Sequence, residues 1–321
     1  MFCVDELAKK DFIVFAGAGI PRETGIPDWK SLLKALLTEC PIDNIDVDTI
    51  NPNEYPSIAQ RVYDNLKSQN KEDKYYEIIK EQISPRNAPY STAQLEIVTT
   101  TNWIVTTNFD TTFEYAFEKK FEERKINKKL NIQSLPEFKM QNYLNEDSII
   151  YLHGKADERF IIFRRDDYEN YYPSVSKKRD GSKDLEDYLK YLYKNYTIVF
   201  IGFSFDDFYI KEAFKYIYEE TMYSDQIASK KIGYLPRLDK IQHYAFLKKV
   251  DFGNNDFLIK NINNFAPESE EYMKAKKLID QSELIKELES MKIKVILYNE
   301  HIEWIQCFQE IRKIRRSFGV I

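Results

Sequence analysis

Four apolar runs of this sequence each end in a small group of residues able to do chemistry. Phe12 to Phe15 leads into Ala16, Gly17, Ala18 and Gly19. Trp103-Ile-Val-Thr-Thr-Asn-Phe-Asp110 ends in Thr107, Asn108 and Asp110. Ser148-Ile-Ile-Tyr-Leu152 ends at His153-Gly154, and Thr197-Ile-Val-Phe-Ile201 ends at Gly202-Phe-Ser204. Glycines let backbone N–H groups approach a pyrophosphate with no Cβ in the way. An asparagine amide both donates and accepts, so it can hold a sugar hydroxyl or a water. A histidine of near-neutral pKa can take a proton from either. Random core strands would not end this way four times.

Groups at strand ends act together only if the strands are parallel. In a doubly wound parallel sheet the carboxyl ends share one edge, and ligands bind there. The first run, its glycine turn and the helical Ser31-Leu-Leu-Lys-Ala-Leu-Leu37 read as strand, turn and helix, the opening of a dinucleotide-binding unit. The sequence therefore predicts a Rossmann-like, doubly wound, mostly parallel α/β fold.

The remaining segments fill in that plan. Residues 58–83 carry a helical stripe stopped by Ser84-Pro-Arg-Asn-Ala-Pro89, and residues 31–95 together read as an inserted helical layer over the first strand's carboxyl end. Residues 118–146 read as charged and irregular. Asp166 to Tyr172 starts like a capped helix, Ser174 to Lys183 is a polar loop, and Leu185 to Tyr193 is an aromatic helix. Asp206 reads as the N-cap of a helix running to Tyr218. Lys231-Ile-Gly-Tyr-Leu235 and Lys292-Ile-Lys-Val-Ile-Leu297 are two further strands, with an elaborated polar loop over about 251–284. Ile302 to Ile314 is a terminal amphipathic helix with a basic end. The whole, 1–321, reads as one domain.

Bulk properties narrow the function. At 321 residues with 43% hydrophobic and 31% charged residues, a large core can be buried. A net charge of −5 argues against a domain-wide nucleic-acid footprint, although local runs such as Lys177-Lys-Arg179 exist. Cys3, Cys40 and Cys307 are scattered, with neither a disulfide framework nor zinc spacing. No stretch reaches membrane-spanning length and no apolar signal core opens the chain, so a cytoplasmic protein is expected.

Taken together, the motifs resemble the sirtuin superfamily. Its pattern is matched by Gly17-Ala-Gly-Ile-Pro21, Gly25-Ile-Pro-Asp-Trp-Lys30, Thr106-Thr-Asn-Phe-Asp110, His153-Gly154 and Gly202-Phe-Ser204, in order and spacing over about residues 10 to 210. Deacylase sirtuins hold a structural zinc with four cysteines between the last two motifs. No cysteine lies between Cys40 and Cys307, so that zinc module is absent. Thr107 also replaces the family's glutamine. The closer likeness is to the bacterial sirtuin-like NAD hydrolases of anti-phage defence, which destroy NAD when a second domain or a partner protein senses infection.

The resemblance implies a division of labour. Asn108 and His153 are the expected catalytic residues. Ala16, Gly17, Ala18 and Gly19 would floor the pyrophosphate, with Arg22 near a phosphate, and Gly202 and Ser204 would approach phosphate or adenosine ribose. Asp28 and Trp29 lie on the loop that covers the nicotinamide end, where Trp29 shields the site or anchors the helical layer. Thr107 and Asp110 are expected to bind the dinucleotide, Asp110 by orienting a hydroxyl or the nicotinamide amide, and Asp110 serves equally well as a helix cap. NAD is then substrate, with no metal. Expected partners are a homo-oligomer and a separate sensor or activator, ATPase or Argonaute-like, with neither membrane nor direct nucleic-acid contact. A protein-lysine deacylase and a non-catalytic NAD or ADP-ribose sensor are the competing expectations. A dehydrogenase is disfavoured because Arg22 stands where its third glycine belongs.

Overall fold

Residues of alternating sidedness build the centre of the molecule. In the computed structural model, which describes residues 2–43, 45–135, 146–176, 182–205, 207–232 and 241–319, strand β1 (Phe12–Ala16) is buried along its whole length. Ile13 and Phe15 enter one apolar core, and Phe12, Val14 and Ala16 enter the other. Strand β7 (Thr197–Ile201) divides in the same way, Ile198 and Phe200 against Val199 and Ile201. A strand that is apolar on both faces must be covered on both, the condition for a parallel sheet between helical layers.

The strands are β2 (Trp103–Thr106), β3 (Asn131–Ser134), β4 (Ser148–Tyr151), β8 (His243–Lys248) and β9 (Ile293–Tyr298), with a small antiparallel pair of β5 (Gly154–Lys155) and β6 (Phe160–Ile161). The main sheet has seven strands in the order β3-β4-β2-β1-β7-β8-β9, all parallel. From β1 the chain goes to β2, on to the edge strand β3, back to β4 between the two, and then crosses to β7 on β1's other side. The switch point lies between β1 and β7. Register puts Tyr151, Thr106, Ala16 and Ile201 in one row across the sheet, so the four motif-bearing ends are neighbours.

Helices α1 (Phe2–Ala8), α5 (Thr92–Thr100), α6 (Thr112–Arg124) and α13 (His301–Ser317) cover one face. Helices α7 (Arg165–Tyr171), α9 (Asp184–Asn195), α10 (Phe208–Ile232) and the end of α12 (Glu270–Ser290) cover the other. Helices α2 (Trp29–Glu39), α3 (Tyr55–Ser68) and α4 (Glu72–Gln82) form a third core of their own, closed by Ala156, Ile161 and Phe163.

Several expectations are corrected here. The stripe over 58–83 is two helices, broken at Gln69–Lys71 by left-handed Asn70. The fourth helix of the 31–95 stretch, α5, packs on the sheet with α6 and α13 rather than in the helical layer. Residues 118–146 contain the end of α6 and the short edge strand β3, which is too polar to stand out. The polar loop over 174–183 begins with the short helix α8 (Pro173–Ser176). Residues 251–284 hold α11 (Asn255–Lys260) and most of the 21-residue α12. Lys231 and Ile232 belong to α10, not to a strand, and the rest of that expected strand lies outside the described residues, as do Asp206 and the Lys177–Arg179 run. The strand is instead β8, where His243 is fully buried in the sheet.

One buried ion pair ties α6 to the start of β4. Lys120 Nζ meets Asp147 Oδ1 and also donates to Asn102 Oδ1 at 3.0 Å, with both partners almost wholly buried. Asp147→Ala would leave an ammonium buried and unpaired, and should cost about 3–5 kcal/mol of stability. Lys120→Met combined with Asp147→Leu should recover most of that loss, as read from denaturant midpoints.

Candidate active site

The strand ends open on one cavity of about 440 Å³. Its floor is a seam between the β1 and β7 loops. Gly17 N–H donates to Ile201 O at 2.9 Å and Gly19 N–H to Gly202 O at 2.9 Å. A Cβ on Gly17 would stand 2.9 Å from the Gly202 carbonyl carbon, and Gly202 itself is left-handed at φ +64° against Ile20. The glycines let two backbones touch. This revises the expected phosphate floor, because two of its amides are already engaged. Ala16 is buried inside β1, its carbonyl accepting the Thr106 hydroxyl at 2.9 Å. Neither Ala16 nor Gly17 lines the cavity, whereas Ala18, Gly19, Gly202 and Ser204 do. Among the described residues the Ala18 amide makes no hydrogen bond, and it is the backbone donor of this loop left for an anion.

Asn108 stands beside this seam, 8% exposed. Its backbone N–H donates to Thr106 Oγ1 at 3.0 Å, and Nδ2 donates to Gly17 O at 3.2 Å. That second bond fixes the amide's orientation. Oδ1 has no partner among the described residues, so the side chain offers the cavity an acceptor. Thr107, half-buried, lines the wall next to it.

His153 follows β4 and is 2% exposed, while Gly154 turns at φ +80°, where a Cβ would clash with Phe160. The ring stands edge-on to Tyr168 and Tyr172, and Nε2 lies 2.8 Å from the Tyr172 hydroxyl. Burial without an acidic partner pushes its pKa down to about 3. The near-neutral histidine expected from sequence is therefore a neutral imidazole throughout the working range.

Asp110 lines the cavity, but its Oδ1 accepts from the N–H of Thr112 at 3.1 Å and from that residue's hydroxyl, which itself meets Gln94. Burial raises its pKa against these bonds. Its carboxylate forms an Asx turn that satisfies the first N–H of α6, one residue ahead of the helix's N-cap Thr111.

Asp28 and Trp29 border the cavity from the helical layer, but neither is in a free loop. Asp28 is the N-cap of α2, accepting from Ser31 N–H at 2.9 Å. Burial opposes its ionisation, but the Ser31 bonds and the charges of Arg22 and Lys30 outweigh it and lower the pKa. Trp29, in the first turn of α2, packs edge-on to Tyr55 at 5.5 Å and against Phe163 and Tyr168, so it lines the cavity and anchors the layer at once. Arg22 is an exposed cation at the rim with no ion pair among the described residues.

The sequence reading missed the aromatic wall. Tyr168 stacks on Tyr209 at 4.6 Å and Tyr172 at 5.8 Å, and its hydroxyl donates to Asp207 Oδ2 at 2.9 Å. Asp207 in turn accepts from Ile210 N–H at the start of α10. The available signal was the four-residue spacing of Tyr168, which lines the cavity, and Tyr172, the C-cap of α7, on one side of the helix.

Residues 102–258 match the family model of the SIR2-like domain, a span that takes in Asn108, His153, Gly202 and Ser204. This stretch of the chain is similar to SIR2-like domains. It is also 26% identical over 331 residues to the NAD(+) hydrolase ThsA of Acinetobacter baumannii (strain 532279), covering 99% of this chain and 56% of that protein. Against the NAD(+) hydrolase ThsA of Cytobacillus dafuensis it is 26% identical over 320 residues, covering 95% of this chain and 53% of the relative. The chain thus spans about half the length of the curated relatives it matches. The SIR2-like match agrees with the Rossmann-like sheet and with the strand-end motifs it spans. Among the described residues no group of three or more His, Cys, Asp or Glu could hold a metal ion, and no helix is long and apolar enough to cross a membrane.

Two buried histidines make the fold acid-sensitive. His153 and His243 both fall to about 3 from an ordinary 6.5, burial being the main cause in each. Between those values the unfolded chain binds protons that the folded chain excludes. Stability is therefore full above pH 6.5 and falls with pH by up to about 1.4 kcal/mol per pH unit for each imidazole. Urea midpoints measured from pH 7 downward should show this slope, and His243→Gln should reduce it by one proton's share.

Proposed function

We propose that this chain is an NAD+ hydrolase that cleaves the nicotinamide–ribose bond to give nicotinamide and ADP-ribose, and that it serves as a gated effector of anti-phage defence, causing abortive infection by NAD depletion. The observation that carries the reading is the meeting of Asn108 and His153 with the Gly19/Gly202 seam in one cavity. The names of the two relatives, each an NAD(+) hydrolase and each similar to nearly the whole of this chain, support it.

The chemistry asks for what this cavity has. Nicotinamide leaves from a cationic ring, so no strong general acid is needed. The protein must hold the dinucleotide, favour an oxocarbenium-like ribose and place a water. The Ala18 amide and Arg22 supply the anion-binding groups. Asn108 Oδ1 and the His153 ring supply polar contacts to the ribose or water, and Trp29 with Tyr168 excludes bulk solvent. The reading includes NAD as the only cofactor-like ligand, without metal, in a cytoplasmic setting. It also includes activation by homo-oligomerisation or by a separate sensor protein, since an ungated activity would exhaust the host's NAD.

Product analysis tests the reading. Incubation with NAD+ alone should yield nicotinamide and ADP-ribose in equal amounts, rising more steeply than linearly with protein concentration. Consumption of NAD+ only with an acyl-lysine peptide, giving O-acyl-ADP-ribose, would assign a deacylase instead. Tight binding without turnover under any condition would assign a sensor.

A further inference from the structure

His153 has two ring nitrogens, and the structure treats them differently. Nε2 is 2.8 Å from the hydroxyl of Tyr172. Nδ1 has no hydrogen bond among the described residues, and the residue lines the cavity. Whatever polar contact Nδ1 makes is therefore with what enters that cavity.

Tyr172 decides what Nδ1 can offer. It is wholly buried, and His153 Nε2 is its hydroxyl's one partner among the described residues. Burial, with Asp207 and Glu186 nearby, keeps the phenol protonated. A buried phenol has one O–H to satisfy, and an orphaned donor costs more than an unused acceptor lone pair. The O–H therefore donates to Nε2. A neutral imidazole has a single N–H, so the proton sits on Nδ1. The tyrosine is itself held, its ring against those of both Tyr168 and Tyr209.

We propose that Tyr172 is a positioning residue whose hydroxyl locks His153 in the Nδ1–H form, so that the imidazole presents a hydrogen-bond donor, not a base, to the cavity. Asn108 then offers the matching acceptor, since its own Nδ2 is committed to Gly17 O. The proposal rests on the NAD+ hydrolase reading only for its catalytic consequence. There, His153 donates to an oxygen of the bound ribose or of the carboxamide, and proton uptake from water falls to solvent.

The test is nitrogen NMR of the free protein labelled at histidine, with the His153 signals assigned by their loss in His153→Gln. The wild type should show Nε2 unprotonated and Nδ1 protonated, and Tyr172→Phe, which retains the ring packing, should shift the ring toward a mixture of the two forms. Tyr172→Phe should also lower kcat for nicotinamide release by about 10–100-fold, the usual cost of losing an outer-shell partner, with KM changed little. A protonated Nε2 in the wild type overturns the proposal, with or without a folded variant. So does a Tyr172→Phe protein with an unchanged tautomer. Because the NMR needs no substrate, the expected tautomer in a protein that releases no nicotinamide would discard the hydrolase reading alone. Turnover with a protonated Nε2 would discard the tyrosine lock alone.

Discussion

Replacing Asn108 by alanine is expected to lower nicotinamide release by about 10²–10³-fold, the range seen when one preorganised polar group is removed from a reacting centre. The substitution deletes two things. It removes the Oδ1 acceptor that faces the cavity, and it removes the Nδ2 bond to Gly17 O. The second loss is a stability effect of about 1 kcal/mol. Asn108→Asp separates them, since a carboxylate keeps an acceptor but cannot donate to Gly17 O. Activity recovered in the aspartate variant with stability still reduced would assign catalysis to Oδ1. Equal inactivity in both would assign it to the Gly17 contact and so to loop geometry.

The second large effect is expected at Gly17. A methyl group there meets Gly202 O at once, with Gly202 C and Phe203 Cα both at 2.9 Å. These are backbone atoms of β7's end, and they cannot rotate away as a side chain could. Gly17→Ala must part the β1 and β7 loops, breaking the bonds to Ile201 O and Gly202 O. Overpacking of this kind costs about 1–3 kcal/mol. The larger effect is on turnover, because Asn108 is held by the Gly17 carbonyl, and a displacement of about 1 Å at a reacting group can cost about 10²-fold. Gly253→Ala is the control: nothing lies within 4 Å of its added Cβ, so its cost is that of a left-handed φ of +84° alone, without a steric clash. Melting temperature and nicotinamide release, measured on both variants, should separate the seam from glycine substitution in general.

The sheet's centre was legible because its strands are apolar on both faces and end abruptly in glycine, asparagine or histidine. Phe12–Ala16 and Thr197–Ile201 had no other reading. The edges were not. Asn131–Ser134 is polar and pairs on one side only, so it lacks the hydrophobic signal of a central strand. His243–Lys248 was hidden by its own histidine, whose burial depends on Tyr193 stacking at 4.1 Å from far away in sequence. Helix α12 has apolar residues spread around its surface, with Ala275, Leu278 and Leu288 buried among many charges, so its periodicity is weak.

The candidate site divides along the same line. Asn108 and His153 could be singled out because they fall in Thr106-Thr-Asn-Phe-Asp110 and His153-Gly154, the motifs that resemble the sirtuin pattern. What each atom does could not, since that depends on partners brought in by folding. Tyr172 fixes one face of His153, Gly17 occupies one end of Asn108, and Thr112 claims Asp110 for an Asx turn. Tyrosines are so common here, 23 in all, that an aromatic wall had no distinguishing mark before the fold brought Tyr168, Tyr172 and Tyr209 together.

The central claim is that Asn108 and His153 act on NAD+ in one cavity. The direct measurement is nicotinamide release from NAD+ by the wild type, Asn108→Ala and His153→Ala at matched concentration, each first verified as folded by its thermal transition. The expected result is release by the wild type and near-complete loss in both variants. Undiminished release by both folded variants would contradict it.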